Sequence, residues 1–139
     1  MAIDEGELLR RTKQFALRVM RLAAALPNTP VGRAISGQLV RAGTSVGANY
    51  RAACRGRSLA EFNAKLGVVE EEADEGAYWM ELIVEGKLLK EKLVQPLHQE
   101  ANEITAMMAA SRRTVARRNG QGLAQSQIAN RKLQIANHA

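Results

Sequence analysis

The apolar residues of this chain recur at the spacing of amphipathic helices. In residues 5–26, Leu8, Phe15 and Val19 follow one another at intervals of seven and four, so a helix turning 100° per residue places them on one side. In residues 58–93 the intervals alternate between four and three, through Phe62, Leu66, Val69, Ala73, Gly76, Met80 and Ile83. That heptad repeat is typical of left-handed helical bundles.

Helix-start and helix-stop residues divide the chain into four helices, at about residues 5–26, 30–54, 58–93 and 96–118. Thr29 can cap the second helix, with Pro30 at its first position, where the missing N–H costs nothing. Ser58 and Glu61 have the spacing of a capping box for the third helix, in which each side chain bonds to the backbone near the other. The fourth helix is predicted to begin at Pro96.

The predicted fold is all-α, an antiparallel up-down four-helix bundle over residues 1–119. Asn119 and Gly120 are expected to stop the fourth helix, because glycine is common just beyond helix ends. The remaining residues, 120–139, are rich in Gln, Asn and Ala and repeat a Gln-Ile-Ala-Asn motif. Such a polar, repetitive sequence predicts a disordered tail.

A stripe of small residues, Gly32, Ser36, Gly43 and Gly47, runs along the second helix. Three glycines cost a helix about 3 kcal/mol relative to alanine, and we predict that close approach of a neighbouring helix offsets this cost. A helix-turn-helix with Gly43 in the turn is the alternative. One continuous helix is favoured, because the apolar positions stay in phase through Gly43. On that interpretation Gly43→Ala is expected to be mild.

A second apolar stripe is predicted on the third helix, on the side away from its heptad repeat. Tyr78, Leu82 and Leu89 form it, with Trp79 at its flank. A monomer would leave this stripe in water, so it predicts a subunit interface, where aromatic residues are favoured. The alternative is that a single bundle wraps around it.

The composition is consistent with this fold and bears on the compartment. Hydrophobic residues make up 46% of the chain but aromatic residues only 4%, so the apolar content is mostly aliphatic, as suits helix packing. Cys54 is the only cysteine, which excludes an internal disulfide and indicates a packing residue. The N-terminus is acidic without an apolar leader, and no run approaches the roughly 18 apolar residues of a membrane span. We therefore expect a cytoplasmic protein with no membrane partner.

The residues needed for catalysis or metal binding are missing from the pattern. A di-iron bundle needs Glu-x-x-His pairs, but Gln95 stands three residues before His98, and the other histidine, His138, is in the tail. Cys54 and His98 have no third group to orient them as a nucleophile and base. The sequence predicts a protein that is not an enzyme, with no cofactor, no metal and no small-molecule substrate.

The net charge of +6 is unevenly distributed. Residues 1–57 carry a net +7, residues 58–92 a net −5 and residues 93–139 a net +4. Seven arginines outside the apolar positions are candidates for contact with nucleic-acid phosphates: Arg33, Arg41, Arg51, Arg55, Arg112, Arg113 and Arg117. The alternative is that these arginines pair with acidic residues of the third helix, namely Glu70, Glu71, Glu72 and Glu75.

Three segments of the chain form a specific combination: QLVRAGTSVGANYR at residues 38–51, SLAEF at residues 58–62, and Glu-Ala-Asp-Glu followed by Tyr-Trp within residues 72–79. Together they resemble the four-helix-bundle family of 23S rRNA intervening-sequence proteins. The resemblance extends over about residues 5–115. One departure is that the family often has an acidic residue shortly after its Asn-Tyr pair, where this chain has Arg51-Ala52-Ala53.

The resemblance implies a ring-like homo-oligomer, with a pentamer as the expected stoichiometry. It implies no established biochemical role. A more distant resemblance is to the accessory variability determinant of diversity-generating retroelements, which binds a reverse transcriptase and nucleic acid through a basic surface. Two hypotheses remain open: binding of RNA, DNA or a ribonucleoprotein through a basic surface, and a structural or protein-interaction scaffold without nucleic-acid binding.

Overall fold

A computed structural model of the protein describes residues 4–138, with side chains up to Arg118 and at Gly120, Arg131 and Lys132. Residues 1–3 of the predicted bundle and residue 139 of the predicted tail lie outside this range. The described chain forms four helices: α1 (Glu5–Ala24), α2 (Pro30–Cys54), α3 (Leu59–Glu85) and α4 (Glu91–His138). They pack as an up-down bundle in which each helix contacts the next and α4 returns to α1. The prediction of an all-α four-helix bundle is confirmed.

Three helices begin at the capping residues that the sequence contains. Asp4 Oδ1 accepts a hydrogen bond from the Glu7 N–H at 2.7 Å, and Thr29 Oγ1 accepts one from the Gly32 N–H at 3.0 Å. Ser58 Oγ accepts from the Glu61 N–H at 3.1 Å. Each bond satisfies a backbone donor that the first helical turn leaves free, so the starts of α1, α2 and α3 follow from local sequence.

The core lies along the predicted apolar seams of the four helices. Phe15 and Val19 of α1, Leu66 of α3, and Ile104 and Met108 of α4 have almost no exposed surface. Thr12 is the buried polar residue among them, and its hydroxyl donates to the Leu8 carbonyl oxygen at 2.8 Å. That bond removes the cost of burying the hydroxyl.

The small-residue stripe of α2 is a packing surface, as predicted. α2 is continuous through Gly43, so the helix-turn-helix alternative is wrong. A Cβ atom at Gly43 would lie 2.6 Å from Val19 Cγ1 of α1, and one at Gly47 would lie 3.3 Å from the Thr12 carbonyl oxygen. The two glycines therefore let α1 approach the α2 backbone closely.

The predicted unbroken third helix is wrong, because α3 ends at Glu85. Lys87 takes the left-handed conformation with φ 59°. Its N–H bonds to the Val84 carbonyl at 3.0 Å, and the Leu88 N–H bonds to the Ile83 carbonyl at 2.9 Å. This is a Schellman ending with a lysine, instead of the usual glycine, at the left-handed position.

The predicted bounds of the fourth helix are also wrong at both ends. α4 begins at Glu91, so Pro96 lies inside its second turn, where it cannot donate to the Lys92 carbonyl. At the other end the backbone continues as helix past Gly120 to His138, in place of the predicted disordered tail. Gly120 has no positive φ, and the Ala, Leu, Gln, Arg and Lys residues that follow are good helix formers.

Candidate nucleic-acid interface

Three candidate arginines, Arg33, Arg41 and Arg51, lie on the solvent side of α2, and Arg55 directly follows the last residue of this helix; each of the four is exposed. Because α2 is a single helix, Arg33 is at the end of the bundle where α1 turns into α2, whereas Arg51 and Arg55 are at the opposite end. Arg33 Nη1 donates to Asn28 Oδ1 at 3.0 Å. The sequence-predicted set is therefore divided between the two ends.

Arg41, midway along α2, forms ion pairs with α3. Its Nη1 lies 3.2 Å from Glu72 Oε2, and its Nη2 contacts Glu75 Oε2. The alternative of pairing with acidic residues of the third helix therefore applies to this arginine. Its positive charge is offset locally, so it contributes little to a phosphate-attracting field.

Arg112 of α4 also forms an ion pair with α3, on the other side of that helix. Its Nη1 lies 3.0 Å from Glu70 Oε2. The guanidinium group lies over Gly67, where a Cβ atom would be 3.3 Å from Arg112 Cζ. Its neighbours Arg113 and Arg117 are exposed, and neither forms an ion pair with a described carboxylate.

Four of the seven candidates share one end of the bundle, which we call the α2–α3 end because the turn between these helices lies there. They are Arg51, Arg55, Arg113 and Arg117. Arg57 in the turn and Arg118 of α4 are two further exposed arginines at this end that sequence reasoning did not select. In the sequence these two arginines belong to the basic segments 51–57 and 112–118. A helical wheel of one helix does not show that the two segments lie at the same end of the bundle.

The two arginine groups flank the α2–α3 end from different sides. α2 packs beside α1 and α3, and α4 packs beside the same two helices, but within the described residues the backbones of α2 and α4 are not neighbours. They are therefore diagonal in the bundle, and their solvent sides point in opposite directions. Arg51 and Arg55 cannot meet the same short stretch of ligand as Arg113 and Arg117 within one subunit.

A cavity lies between these two groups of arginines at the α2–α3 end. An open cavity of about 540 Å³ is lined mainly by apolar side chains, with Glu5 and Arg118 among its few polar residues. Leu8, Tyr50 and Phe62 contribute side chains from three different helices. The cavity lies where the first turn of α1 and the last turn of α2 face residues 107–118 of α4.

Burial acts on the two reactive side chains near this cavity. Burial raises the pKa of the Tyr50 hydroxyl, and burial also raises the pKa of the Cys54 thiol. A thiol with a raised pKa is a poor nucleophile. In the part of the chain whose side chains are described, no group of three His, Cys, Asp or Glu side chains is arranged to hold a metal ion.

The four predicted interface residues do not form one continuous stripe. Tyr78 is 52% exposed, and Leu82 is half-buried. Trp79 and Leu89 pack partly against the core of the single bundle. Leu89 also lies in the turn after α3, because the helix ends at Glu85. Trp79 and Leu89 therefore contact their own bundle, and the subunit interface at these four residues stays a prediction.

These features define an all-α, up-down four-helix bundle with arginines concentrated at one end. The chain belongs to the 23S rRNA-intervening sequence protein family, whose sequence model matches residues 5–110. This family has no known catalytic activity. No helix in the described range is long and apolar enough to cross a membrane.

A solved structure supports the same assignment. The chain is similar to a Bacteroides thetaiotaomicron protein of unknown function from the S23 ribosomal protein family, with 28% sequence identity and a TM-score of 0.74. The similarity covers 80% of this chain and 99% of that one. No curated protein matches the chain.

Proposed function

We propose that this protein binds nucleic acid through the arginines of its α2–α3 end. The observation that carries the proposal is that Arg51, Arg55, Arg113 and Arg117 are exposed there and form no ion pair with a described carboxylate. Unpaired guanidinium groups are suited to phosphate, which they contact with two parallel N–H donors. The contacts go to the nucleic-acid backbone and are independent of sequence.

The scaffold hypothesis is supported at two positions only. Arg41 and Arg112 pair with acidic residues of α3 and so help to hold neighbouring helices together. Exposed pairs of this kind contribute less than about 1 kcal/mol each. Glu71 is exposed and takes part in none of the described ion pairs. The acidic residues of α3 therefore do not neutralise the arginines of the α2–α3 end.

Charge reversal at the α2–α3 end tests the proposal. We expect the double variant Arg51→Glu and Arg55→Glu, and separately Arg113→Glu and Arg117→Glu, to lower the affinity for RNA and DNA by at least about tenfold, because lost phosphate contacts become repulsive. The combination of all four should abolish binding. Gel shifts at several salt concentrations measure this, with Lys90→Glu and Lys92→Glu as a control of equal charge change at the opposite end.

Two results would contradict the proposal. One is equal binding by the quadruple variant and the wild-type protein. The other is the absence of any shift of wild-type protein with RNA or DNA at low salt, which would favour the scaffold hypothesis.

We further propose that the protein self-associates through two different surfaces, so that the outer side of α3 in one subunit contacts the outer side of α1 in the next. The outer side of α3 exposes Tyr78 beside acidic residues such as Glu71 and Asp74, and the outer side of α1 exposes Leu17 and Met20 near arginines and Lys13. Within the described residues the backbones of α1 and α3 are diagonal across the bundle and are not neighbours, so these two surfaces lie on opposite sides of the bundle. Complementary surfaces on opposite sides form a heterologous interface, which closes into a ring when the rotation permits.

Glutamate substitutions on both surfaces test this assembly. Tyr78→Glu with Leu82→Glu, and separately Leu17→Glu with Met20→Glu, should each give smaller particles by light scattering, because a charge buried at an interface costs several kcal/mol. Helicity should be retained. Val31→Glu is a matched control, since Val31 is 60% exposed but lies on α2. A wild-type protein of monomeric mass would refute the interface.

A further inference from the structure

α4 extends well beyond the bundle that the other helices form. It has 48 residues, whereas α1, α2 and α3 have 20, 25 and 27. At 1.5 Å per residue the part after Arg118 reaches about 30 Å past the α2–α3 end. We call residues 112–138 of α4 the arm.

The charged side chains of the arm are all basic. From residue 104 to the end the sequence has six Lys and Arg residues and no Asp or Glu. Five of the six, Arg113, Arg117, Arg118, Arg131 and Lys132, are exposed. At 100° per residue all of these but Arg118 fall within an arc of about 100°, on the side of α4 opposite its buried residues.

The exposed charges of the arm form two groups with a neutral stretch between them. Residues 119–130 carry no charge. Arg113 and Arg131 are 18 residues apart, so a continuous helix separates them by about 27 Å along its axis. The spacing of the two groups is fixed by the helical backbone.

The arm lies outside what this chain shares with its relatives. The family match ends at residue 110, and the Bacteroides structure matches over 99% of its own length while covering only 80% of this chain. The arm is thus an addition to a bundle that is otherwise shared.

We propose that the arm is a binding element for double-stranded nucleic acid, which it holds by the phosphate backbone. The inference rests on the proposed function and adds to it the class of ligand and two residues, Arg131 and Lys132. Two basic groups at a fixed spacing suit a stiff polyanion, whose phosphates also have fixed positions. The charge complementarity is complete over the arm, since no acidic residue interrupts it.

Single-stranded nucleic acid fits the arm less well. Proteins that bind single strands use aromatic side chains on which the bases stack. Residues 104–139 contain no Phe, Tyr or Trp. The arm therefore provides charge without a stacking surface, which favours a duplex whose bases are already stacked on one another.

An anionic membrane fits less well for a different reason. A helix that lies in a membrane surface needs an apolar side, with apolar residues recurring every three to four positions. The large aliphatic residues after Gly120 are Leu123, Ile128, Leu133 and Ile135. Their intervals of five, five and two do not build such a side, and the same irregularity argues against a partner helix.

The test compares the full chain with Arg131→Gln/Lys132→Gln and with a chain truncated after Gly120. The probes are a duplex of about 24 base pairs, one of its single strands, and vesicles containing phosphatidylserine. We expect both variants to bind the duplex about tenfold more weakly, with a slope of log K against log salt that is smaller by about 1.8 for two lost phosphate contacts. Lys90→Gln/Lys92→Gln, at the opposite end of the bundle, should leave affinity and slope unchanged.

Each other outcome overturns the inference in a distinguishable way. If both variants bind the duplex as tightly as the wild-type protein, the part of the arm after Gly120 is not used, while the proposed function would stand. Equal, arm-dependent binding of single strand and duplex would refute the duplex assignment. Arm-dependent binding of vesicles with arm-independent binding of the duplex would indicate a membrane element. A wild-type chain that binds neither nucleic acid would refute the proposed function and the arm together.

Discussion

Gly43→Leu is expected to destabilise the bundle, because the new side chain would be placed against α1. A Cβ atom at Gly43 would lie 2.6, 2.7 and 2.9 Å from three atoms of the Val19 side chain. Val19 is fully buried and β-branched, so it has no free rotamer to move into. Overpacking of this kind costs about 1–3 kcal/mol or more. Chemical denaturation measures the loss.

Gly43→Ala separates this contact from a backbone effect. The sequence alone predicts a mild result, because alanine is the better helix former. The Val19 contact reverses that expectation, and we now expect Gly43→Ala to destabilise as well. Gly37→Ala is the matched control, because nothing lies within 4 Å of a Cβ atom there, and it should stabilise by about 1 kcal/mol.

Val19→Ala completes the test by removing the two methyl groups nearest to the new Cβ atom. The cost of Gly43→Ala should be much smaller in the Val19→Ala background than in the wild type, which is the non-additivity of residues in contact. If Gly43→Ala is as stable as wild type, or the two substitutions add independently, the close approach of α1 and α2 is not as described.

The parts of the fold that follow from the sequence are those set by local patterns. The bounds of α2 agree with the prediction, because Thr29 and Pro30 mark its start and Gly56 lies just beyond its end. The end of α3 could not be predicted, because Lys87 takes the left-handed position and the glycine precedes it. Gly86 has a separate reason to be glycine, since a Cβ atom there would lie 2.7 Å from the Leu82 carbonyl oxygen.

The candidate site was predictable only as a set of charges. Sequence periodicity places arginines on the solvent sides of helices, but it does not tell which helix is the neighbour. Arg41 reaches Glu72 because α2 packs against α3, and Arg112 reaches Glu70 because α4 packs on the other side of α3. The grouping of arginines at the α2–α3 end likewise depends on the antiparallel order of the helices.

An ion pair links the first and last helices of the bundle. The sequence pattern does not reveal it. Arg11 of α1 makes a two-point contact with Glu100 of α4, through Nε at 2.8 Å and Nη2 at 2.6 Å. Glu103 lies 3.1 Å from the same Nη2 atom. The Glu100 side chain is only 13% exposed, so its charge depends on this partner more than a surface carboxylate would.

The two partners shift each other's proton affinity in opposite directions. The hydrogen bond from Arg11 holds the pKa of Glu100 below its ordinary value, and the bond to Glu100 raises the pKa of Arg11. Because the pKa of Glu100 is lower in the folded state, its contribution to stability is present above the unfolded value of 4.5 and is lost as the pH falls through the folded value. Glu7, Arg18 and Glu103 add smaller charge effects nearby.

Arg11→Met is therefore expected to destabilise the protein at neutral pH by about 2 kcal/mol, because it leaves a largely buried carboxylate without its donor. Below pH 4.5 the deficit should shrink, since the unpaired Glu100 takes up a proton and no longer needs a charged partner. Arg10→Met is the matched control, as Arg10 is exposed on the same helix and forms none of the described ion pairs. Denaturation curves from pH 3 to pH 7 measure both variants. A deficit that is equal at the two extremes, or equally large for Arg10→Met, would show that the Arg11 side chain stabilises the α1–α4 contact by packing and not by its charge.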